Sequence, residues 1–571
     1  MRGVPSADAV EEAAGSREGS SARGAHVVVG FSMVVCGMLL LGHFGRGQAF
    51  FYDEWELVLQ RRDWDADALL TPLNEHLFLV PILVVKVMLE LVGLTPHWAF
   101  HVPVVAAHLA TCWLVFVLGR RRVHPWIAAG AVIVLLFLGS AWEDLLLPIQ
   151  LSFVGSMAAG LGMLYVFDRG ASVRHDLAAC GLLTLSIASS SIGLTFAVVA
   201  AVEVLWGARY RRLWVVIAPM LAYAAWYLAY GRTQLVGGAD PMANVPLVPS
   251  YIADAFAGAA GGLVGLGLEW GRILAVAGLV LLVRELTRRQ GSVRLASLGA
   301  GLVSFWVLSA LARAQAKDPA ATRYIYVGAV FLVLIAFEVN RRRKLGRGFA
   351  AWFFCAVIAF SLVANLNLLR GGRDTLSVWS GEISARLAML ELLGPSAVTP
   401  HFRPAPELAP RLRAGDYFSS VKAFGSAAMP ISGVPSESEG ARRGADGVLL
   451  RGLRIALVPG GRVGTSGRVV LDQVRHGTGA RSPGCVLLRP TGLVGSIAVT
   501  APTNGVVIKT TEDGPATVEA RRFADEFTHN VGTVPRLSTS TLRLPAIGPP
   551  VPWHVRVSSA GRVAVCASAG T

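Results

Sequence analysis

The sequence predicts a polytopic α-helical membrane protein with about eleven transmembrane helices and a C-terminal extracytoplasmic β-sandwich domain. Three observations carry this. The 571 residues are 53% hydrophobic and only 16% charged, and the mean hydropathy of +0.54 is too apolar for a water-soluble globular chain. The basic residues fall in short clusters between apolar runs, at 120–122, 209–212, 284–289 and 341–344, as in cytoplasmic loops. From about residue 447 the chain changes to short β-branched runs broken by Gly and Pro. The net charge of +15 is therefore a topology signal, and no nucleic-acid partner is expected.

Residues 1–24, rich in Ser, Gly, Ala and Glu, read as a disordered cytoplasmic tail. The first apolar run lacks a small-residue cleavage site and reads as an uncleaved anchor. Expected spans follow at 25–45, 98–118, 125–141, 150–167, 176–191, 192–207, 213–230, 272–286, 293–312, 323–340 and 348–365. A cytoplasmic N-terminus puts every arginine cluster inside, together with Arg169 and Arg174. The connections 46–97, 142–149, 231–271 and 313–322 then lie outside, as does everything after about residue 366. The protein is thus expected in the plasma membrane, with a membrane domain at 25–365.

Two more apolar runs are long enough to upset this count. In 76–94 Lys86 and Glu90 stand four apart on one helical face, which suits a helix lying along the interface. If 251–268 crossed, the 284–289 cluster would be expelled, so it reads as a juxtamembrane or re-entrant helix on the outer side. Beyond the spans, 366–446 reads as a connector, with a helix at 374–393 and a Pro-rich linker at 395–410. Eight or nine strands at roughly ten-residue spacing make 447–571 a β-sandwich or jelly roll. Cys36, Cys112, Cys180 and Cys355 lie in apolar runs and read as small hydrophobes. Cys485 and Cys566 stand alone in the polar region and are expected to pair as a disulfide outside the cell.

The chemistry gathers on the expected outer face. The stretch Phe50 to Val58, FFYDEWELV, sets Asp53, Glu54 and Glu56 just beyond the first span, where carboxylates are costly unless used. Asp53 there can act as general base on an acceptor hydroxyl, and the Asp53–Glu54 pair could instead hold a hard divalent cation, Mg or Mn. No CxxC or HExxH spacing occurs. Asp63, Asp65 and Asp67 read as a solvated loop face. Asn74, Glu75 and His76 open the interfacial helix with hydrogen-bonding groups suited to a sugar or a phosphate. Glu143 and Asp144 lie at a second boundary. Arg313, Lys317, Arg323 and Tyr324 bring positive charge and an aromatic to headgroup depth on the face where arginine is disfavoured, and an anionic lipid phosphate is their natural partner.

An acidic pair after the first span, an outer loop with an interfacial helix (TPLNEHLFLVPILVVKVMLELVGL) and a basic–aromatic pair opening a late span together resemble the GT-C glycosyltransferases. The likeness is to bacterial protein mannosyltransferases, aminoarabinose transferases and actinobacterial arabinofuranosyltransferases, over roughly 25–365. It implies a transferase that moves a hexosyl or pentosyl unit from a polyprenyl-phosphate donor to a cell-wall glycan or lipid acceptor. It also implies Asp53 as the base with Glu54 beside it, Glu143 or Asp144 as a second acid, and Arg323 and Lys86 as phosphate-binding groups, with Arg313 assisting. The β-domain resembles the carbohydrate-binding domains some of these enzymes carry. Where many relatives have a PP or HPP turn, this chain reads LNEH. The expected reaction inverts the anomeric centre and requires no metal, because a lipid monophosphate leaves with less charge than a nucleotide diphosphate. A transporter of lipid-linked sugars is the alternative, but it needs polar residues at mid-span, and here only Ser186 and Ser189 to Ser191 form such a run. A mere surface anchor needs far fewer spans.

Overall fold

The structure, a computed structural model, describes residues 7–234, 241–288, 292–315, 318–341, 348–464, 467–511 and 513–569. Lys317, Arg289 and the 342–344 part of the last arginine cluster lie outside them. The chain divides into two compact units. The first comprises Met1–Gly47, Arg61–Val92 and Pro96–Leu376, and the second Gln48–Gln60, Gly93–Thr95 and Ser377–Thr571. The expected outer loop 46–97 is therefore shared out between the two.

Among the described residues, eight helices are long and apolar enough to cross a membrane: Ser21–Phe44, His97–Gly119, Pro125–Leu146, Pro148–Phe167, Tyr210–Ala229, Val293–Arg313, Thr322–Val339 and Ala351–Leu393. A ninth results if Pro241–Leu263 and Leu268–Thr287, bent by 99°, count as one broken span. All eleven expected spans fall on helices. Those at 176–191 and 192–207 correspond to Val173–Ser189 and Ile192–Trp206, of 17 and 15 residues. Both are shorter than the roughly 20 residues a bilayer needs, and they are separated only by Ser190 and Ser191. The run 251–268 begins in the first limb of the bent pair, which ends at Leu263 and turns at Gly265, φ +71°. The 76–94 run contributes a 14-residue helix, Leu79–Val92, too short to span. Residues 7–24, expected as a disordered tail, instead belong to the helix Ala7–Leu39, consistent with the Ala and Glu that dominate its start.

Ion pairs within the first unit show which helix ends lie together. Arg122 meets Glu338 at 2.5 Å and Asp168 at 3.1 Å, Arg294 meets Asp168 and Glu203 at 2.6 Å each, and Arg212 meets Asp176 at 2.6 Å. These bonds gather the C-terminal ends of His101–Gly119, Leu151–Phe167, Ile192–Trp206 and Thr322–Val339 with the N-terminal ends of Val173–Ser189 and Val293–Arg313. The arginines of the 120–122 and 209–212 clusters that make these pairs thus occupy one end of the bundle. The loops between the opposite helix ends meet at the other.

Two helices of this unit are broken, and one side chain serves both breaks. The Pro125–Leu136 helix stops at Phe137, passes through Gly139–Ala141 and resumes as Trp142–Leu146. Asn365, fully buried, accepts the Ser140 N–H at 3.0 Å and donates to the carbonyls of Gly262 and Leu263 at 3.3 Å and Ser361 at 3.1 Å. The Ser140 hydroxyl donates to Gly262 O at 2.9 Å. The approach is so close that a Cβ at Gly139 would strike the Asn365 carbonyl.

In the second unit, the helix Glu439–Gly452 is capped by Ser438 and precedes eleven strands among the described residues. Residues from Leu449 to Gly452, inside the region expected as β-sandwich from 447, are helical because Ala441, Ala445, Val448, Leu449 and Gly452 recur at helical spacing and are buried together. The strands are β1 (Leu457–Pro459), β2 (Val470–Arg475), β3 (Gly477–Ser482), β4 (Cys485–Pro490), β5 (Gly495–Ala501), β6 (Val506–Thr510), β7 (Ala516–Arg521), β8 (Asn530–Val534), β9 (Thr539–Leu542), β10 (Trp553–Ser559) and β11 (Val563–Ala567). They form two antiparallel sheets, ordered β1-β9-β6-β11-β4-β3 and β2-β5-β10-β7-β8. The alternating burial of β7 and β10 is that of a sandwich, apolar inward and polar outward. Cys485 and Cys566 face each other in register on β4 and β11 and form a disulfide. Asp446, on the helix, accepts the backbone N–H groups of Arg522, Phe523 and Ala524 at 3.0 Å each and joins helix to sandwich.

Replacing Asn365 with Leu strands the Ser140 N–H and the carbonyls of the second break, at a cost of about 2–4 kcal/mol. Thermal unfolding in detergent should show a lower Tm for this variant. Asn367→Leu, exposed on the same helix, should change stability by less than about 0.5 kcal/mol.

Candidate functional site

Three loops that are far apart in sequence meet at the end of the first unit opposite the arginine clusters. The helix Thr322–Val339 starts with Thr322, Arg323 and Tyr324, and the resumed helix Trp142–Leu146 carries Glu143 and Asp144 in its first turn. Glu143 pairs with Arg323 at 3.4 Å. Asp144 is fully buried, and among the described residues neither of its oxygens accepts a hydrogen bond, although Glu143 and Arg323 are within electrostatic reach.

Arg313 closes the helix Val293–Arg313. Its guanidinium donates to Asn74 O at 3.0 Å and stands 4.0 Å from the Glu75 carboxylate. Asn74 and Glu75 have positive φ, +49° and +71°, and are bracketed by mutual backbone bonds between Leu73 and His76 at 3.0 and 3.1 Å. This is a two-residue turn with both central residues left-handed, tolerable for Asn and strained for Glu. It hands the Asn74 carbonyl to Arg313 and points His76 at the Ser191 hydroxyl, to which Nδ1 is hydrogen-bonded. Ser191 sits in the gap between two helices, so this gap too is used.

A residue not singled out in the sequence completes the group. Tyr251, on the first limb of the bent pair, has its hydroxyl within electrostatic reach of Tyr324 and Arg313. The hydroxyls of Tyr251, Tyr324 and Thr322 are all buried without a hydrogen-bond partner among the described residues. The sequence signal was faint: an aromatic with a polar tip near the start of an amphipathic outer helix. Two guanidiniums, a buried carboxylate and three unsatisfied hydroxyls thus share one end of the bundle. That combination can receive an anion and a polyhydroxylated group.

The remaining expected site residues lie elsewhere. Lys86 is buried; its ammonium donates to Asp63 O at 2.6 Å and lies 4.6 Å above the Trp64 ring. Burial lowers its pKa, against the opposing pull of Asp63, Asp65 and Glu90. It pins the 63–65 loop to the Leu79–Val92 helix. Asp53, Glu54 and Glu56 belong to the second unit. Asp53 is partly exposed at the start of the helix Glu54–Leu59. Glu54, buried, uses one oxygen to accept the Phe51 N–H at 2.9 Å, and Glu56, also buried, is ion-paired with Arg411. Phe51 stacks on Trp379 with centroids 4.4 Å apart and rings 8° from parallel, and the Ala49 N–H donates to the Ser380 hydroxyl at 2.9 Å. Among the described residues, no three His, Cys, Asp or Glu side chains converge as a metal site would need.

No protein-family model matches the chain, and no curated protein matches it. Among solved structures it is similar to ArnT from Cupriavidus metallidurans bound to undecaprenyl phosphate, with a TM-score of 0.41 and 16% identity over 65% of this chain and 81% of that one. It is also similar to the arabinosyltransferase EmbB from Mycobacterium smegmatis, with a TM-score of 0.35 and 13% identity over 95% of this chain and 64% of that one, so it spans under two thirds of EmbB. Likenesses this distant assign neither a family nor an activity.

Burial and the nearby Arg313 guanidinium push His76 down to about 3, so the imidazole is neutral through the physiological range. The unfolded chain, with a histidine near 6.5, binds the extra proton between those values. The stability tied to neutral His76 is therefore complete above about pH 6.5 and is lost as pH falls toward 3. His76→Gln should flatten the fall in Tm between pH 7 and pH 5; equal slopes for variant and wild type would contradict the buried neutral ring.

Proposed function

We propose that the chain is an integral-membrane glycosyltransferase that takes a sugar from a polyprenyl-phosphate donor and places it on a cell-envelope acceptor outside the plasma membrane. The observation that carries this reading is the buried Asp144 carboxylate beside Arg323, in the company of the unsatisfied hydroxyls of Tyr324, Tyr251 and Thr322. Polar groups at a span boundary are expensive when left unpaired, so their collection at one place favours a polar ligand delivered from the lipid phase. Their position at one end of the helices, rather than midway, favours chemistry at one surface over alternating access.

In this reading the donor phosphate displaces Glu143 and Glu75 from Arg323 and Arg313. The anomeric carbon–oxygen bond to the phosphate breaks while an acceptor hydroxyl bonds to the opposite face, which inverts the centre. The growing phosphate charge is stabilised by the two guanidiniums. A carboxylate takes the acceptor proton, and the products are the glycosylated acceptor and the polyprenyl phosphate. Asp53 is the proposed base, Asp144 the second acid, and Asn74 and neutral His76 are hydrogen-bonding partners for sugar or acceptor. Positive charge retained on the cytoplasmic side puts the arginine end inside, with the N-terminus, and the reacting end and the β-domain outside. The β-domain is proposed to bind envelope carbohydrate.

Membranes from a deletion strain complemented with each variant, supplied with a labelled polyprenyl-phosphate sugar, test the reading. Arg323→Gln is expected to lower kcat/KM by about 100-fold or more. Asp53→Asn is expected to abolish transfer while expression holds; if Asp144→Asn alone does so, the base assignment moves to Asp144. Activity should survive EDTA, since no step uses a metal. A folded Arg323→Gln protein with wild-type transfer would end the proposal.

A further inference from the structure

The arginine end of the first unit holds a feature that the transferase reading does not use. An open cavity of about 480 Å³ lies among the helix ends there, walled by Arg122, Arg209, Arg294 and Arg341 with Asp168 and Glu203. Its two carboxylates are already committed. Asp168 is shared by Arg121 at 3.7 Å, Arg122 at 3.1 Å and Arg294 at 2.6 Å. Glu203 takes Arg294 at 2.6 Å and the Ser297 hydroxyl at 3.2 Å. Arg122 also gives its Nε to Glu338 at 2.5 Å.

Arg209 and Arg341 form no ion pair among the described residues, although Arg209 is within electrostatic reach of Glu203. Four guanidiniums therefore face two carboxylates that are largely neutralised by their neighbours. The C-terminal ends of four helices point their partial negative charge at the same region and offset part of this charge. A separate small pocket lined by Leu118, Leu298 and Phe337 shares Arg122 and Arg294 with it. A solvated arginine face needs no concave shape.

We infer that this cavity binds a phosphate-bearing anion, seated between Arg209 and Arg341 with the paired Arg122 and Arg294 behind it. Guanidinium forks match phosphate oxygens in pairs, and one bound anion would balance the unpaired charge. The phosphate can come from an anionic phospholipid headgroup at the membrane surface or from a soluble phosphate compound. The site lies at the end opposite Arg323 and Tyr324, so it stands whether or not the transferase reading does.

The full-length protein in a neutral detergent is tested by thermal shift with phosphatidylglycerol, phosphatidylcholine or inorganic phosphate. Phosphatidylglycerol is expected to raise Tm and phosphatidylcholine to leave it unchanged; a rise with inorganic phosphate as well assigns the site to soluble phosphate in addition to lipid. The double variant Arg209→Gln, Arg341→Gln should weaken the apparent affinity about tenfold or more. Arg284→Gln, which removes a positive charge outside the cavity, should leave it intact. No shift with either phosphate source, or an equal shift in the double variant, or an equal loss in Arg284→Gln, overturns the inference.

Discussion

The first unit depends on satisfying backbone groups where its helices break. Within hydrocarbon a free N–H or C=O has no water to bond with, so a break survives only where protein supplies partners. Asn365 supplies them for two breaks at once: Oδ1 accepts the N–H of Ser140, and Nδ2 reaches the carbonyls that end the Pro241–Leu263 limb. Glycine at 139 gives the backbone room to come close enough. Both breaks adjoin the site. One aims Glu143 and Asp144 at the start of the Thr322–Val339 helix, and the other ends the limb that bears Tyr251. An amide buried in a helix thus fixes the site at several residues' remove.

Charge gives the unit its two different ends. At the arginine end carboxylates are embedded among guanidiniums, and Asp168, Asp176, Glu203 and Glu338 each have a partner at 2.5 or 2.6 Å. At the other end the pairs are longer, 3.4 Å for Arg323–Glu143 and 4.0 Å for Arg313–Glu75. Compact pairs resist exchange, because removing one partner leaves a charge in a poorly solvated place. Loose pairs yield more readily to a competing anion. The same residue types are therefore held tightly in the pairs at one end and loosely at the other, as the proposed function requires of a site that receives an anion.

The sequence made the membrane bundle and the sandwich legible because both rest on composition and periodicity. Apolar runs, arginine clusters and β-branched alternation are local signals, and each expected span lies on a helix. The loops holding Asn74 to His76, Glu143 with Asp144, and Arg313 with Arg323 were also visible, because charge at a span boundary is conspicuous whatever lies across from it. Pairings were not. Arg411 as the partner of Glu56, and Asn365 as the partner of Ser140, are separated from them by hundreds of residues and carry no local mark. Lys86 misled for the same reason. Its helical face with Glu90 suggested an exposed polar stripe, but the lysine folds under Asp63 and Trp64 while Glu90 stays exposed. The β-region expected from 447 starts later because the short apolar run at its head suits either period, and the helix capped by Ser438 runs on through Gly452.

Asp144 carries the largest unrelieved cost in the site. A carboxylate with both oxygens lacking hydrogen bonds is a destabilising arrangement, and a fold selected for stability alone would replace it with Asn or Leu. Its neighbours relieve it only in part: Glu143 repels it, and Arg323 attracts it while turned to Glu143. Nor do the Tyr324, Tyr251 and Thr322 hydroxyls, each free to donate, pair with it among the described residues. In the proposed function a phosphate on Arg323 displaces Glu143, and as Glu143 moves away the repulsion on Asp144 falls, which would couple occupancy of Arg323 to the state of Asp144 through one ion pair.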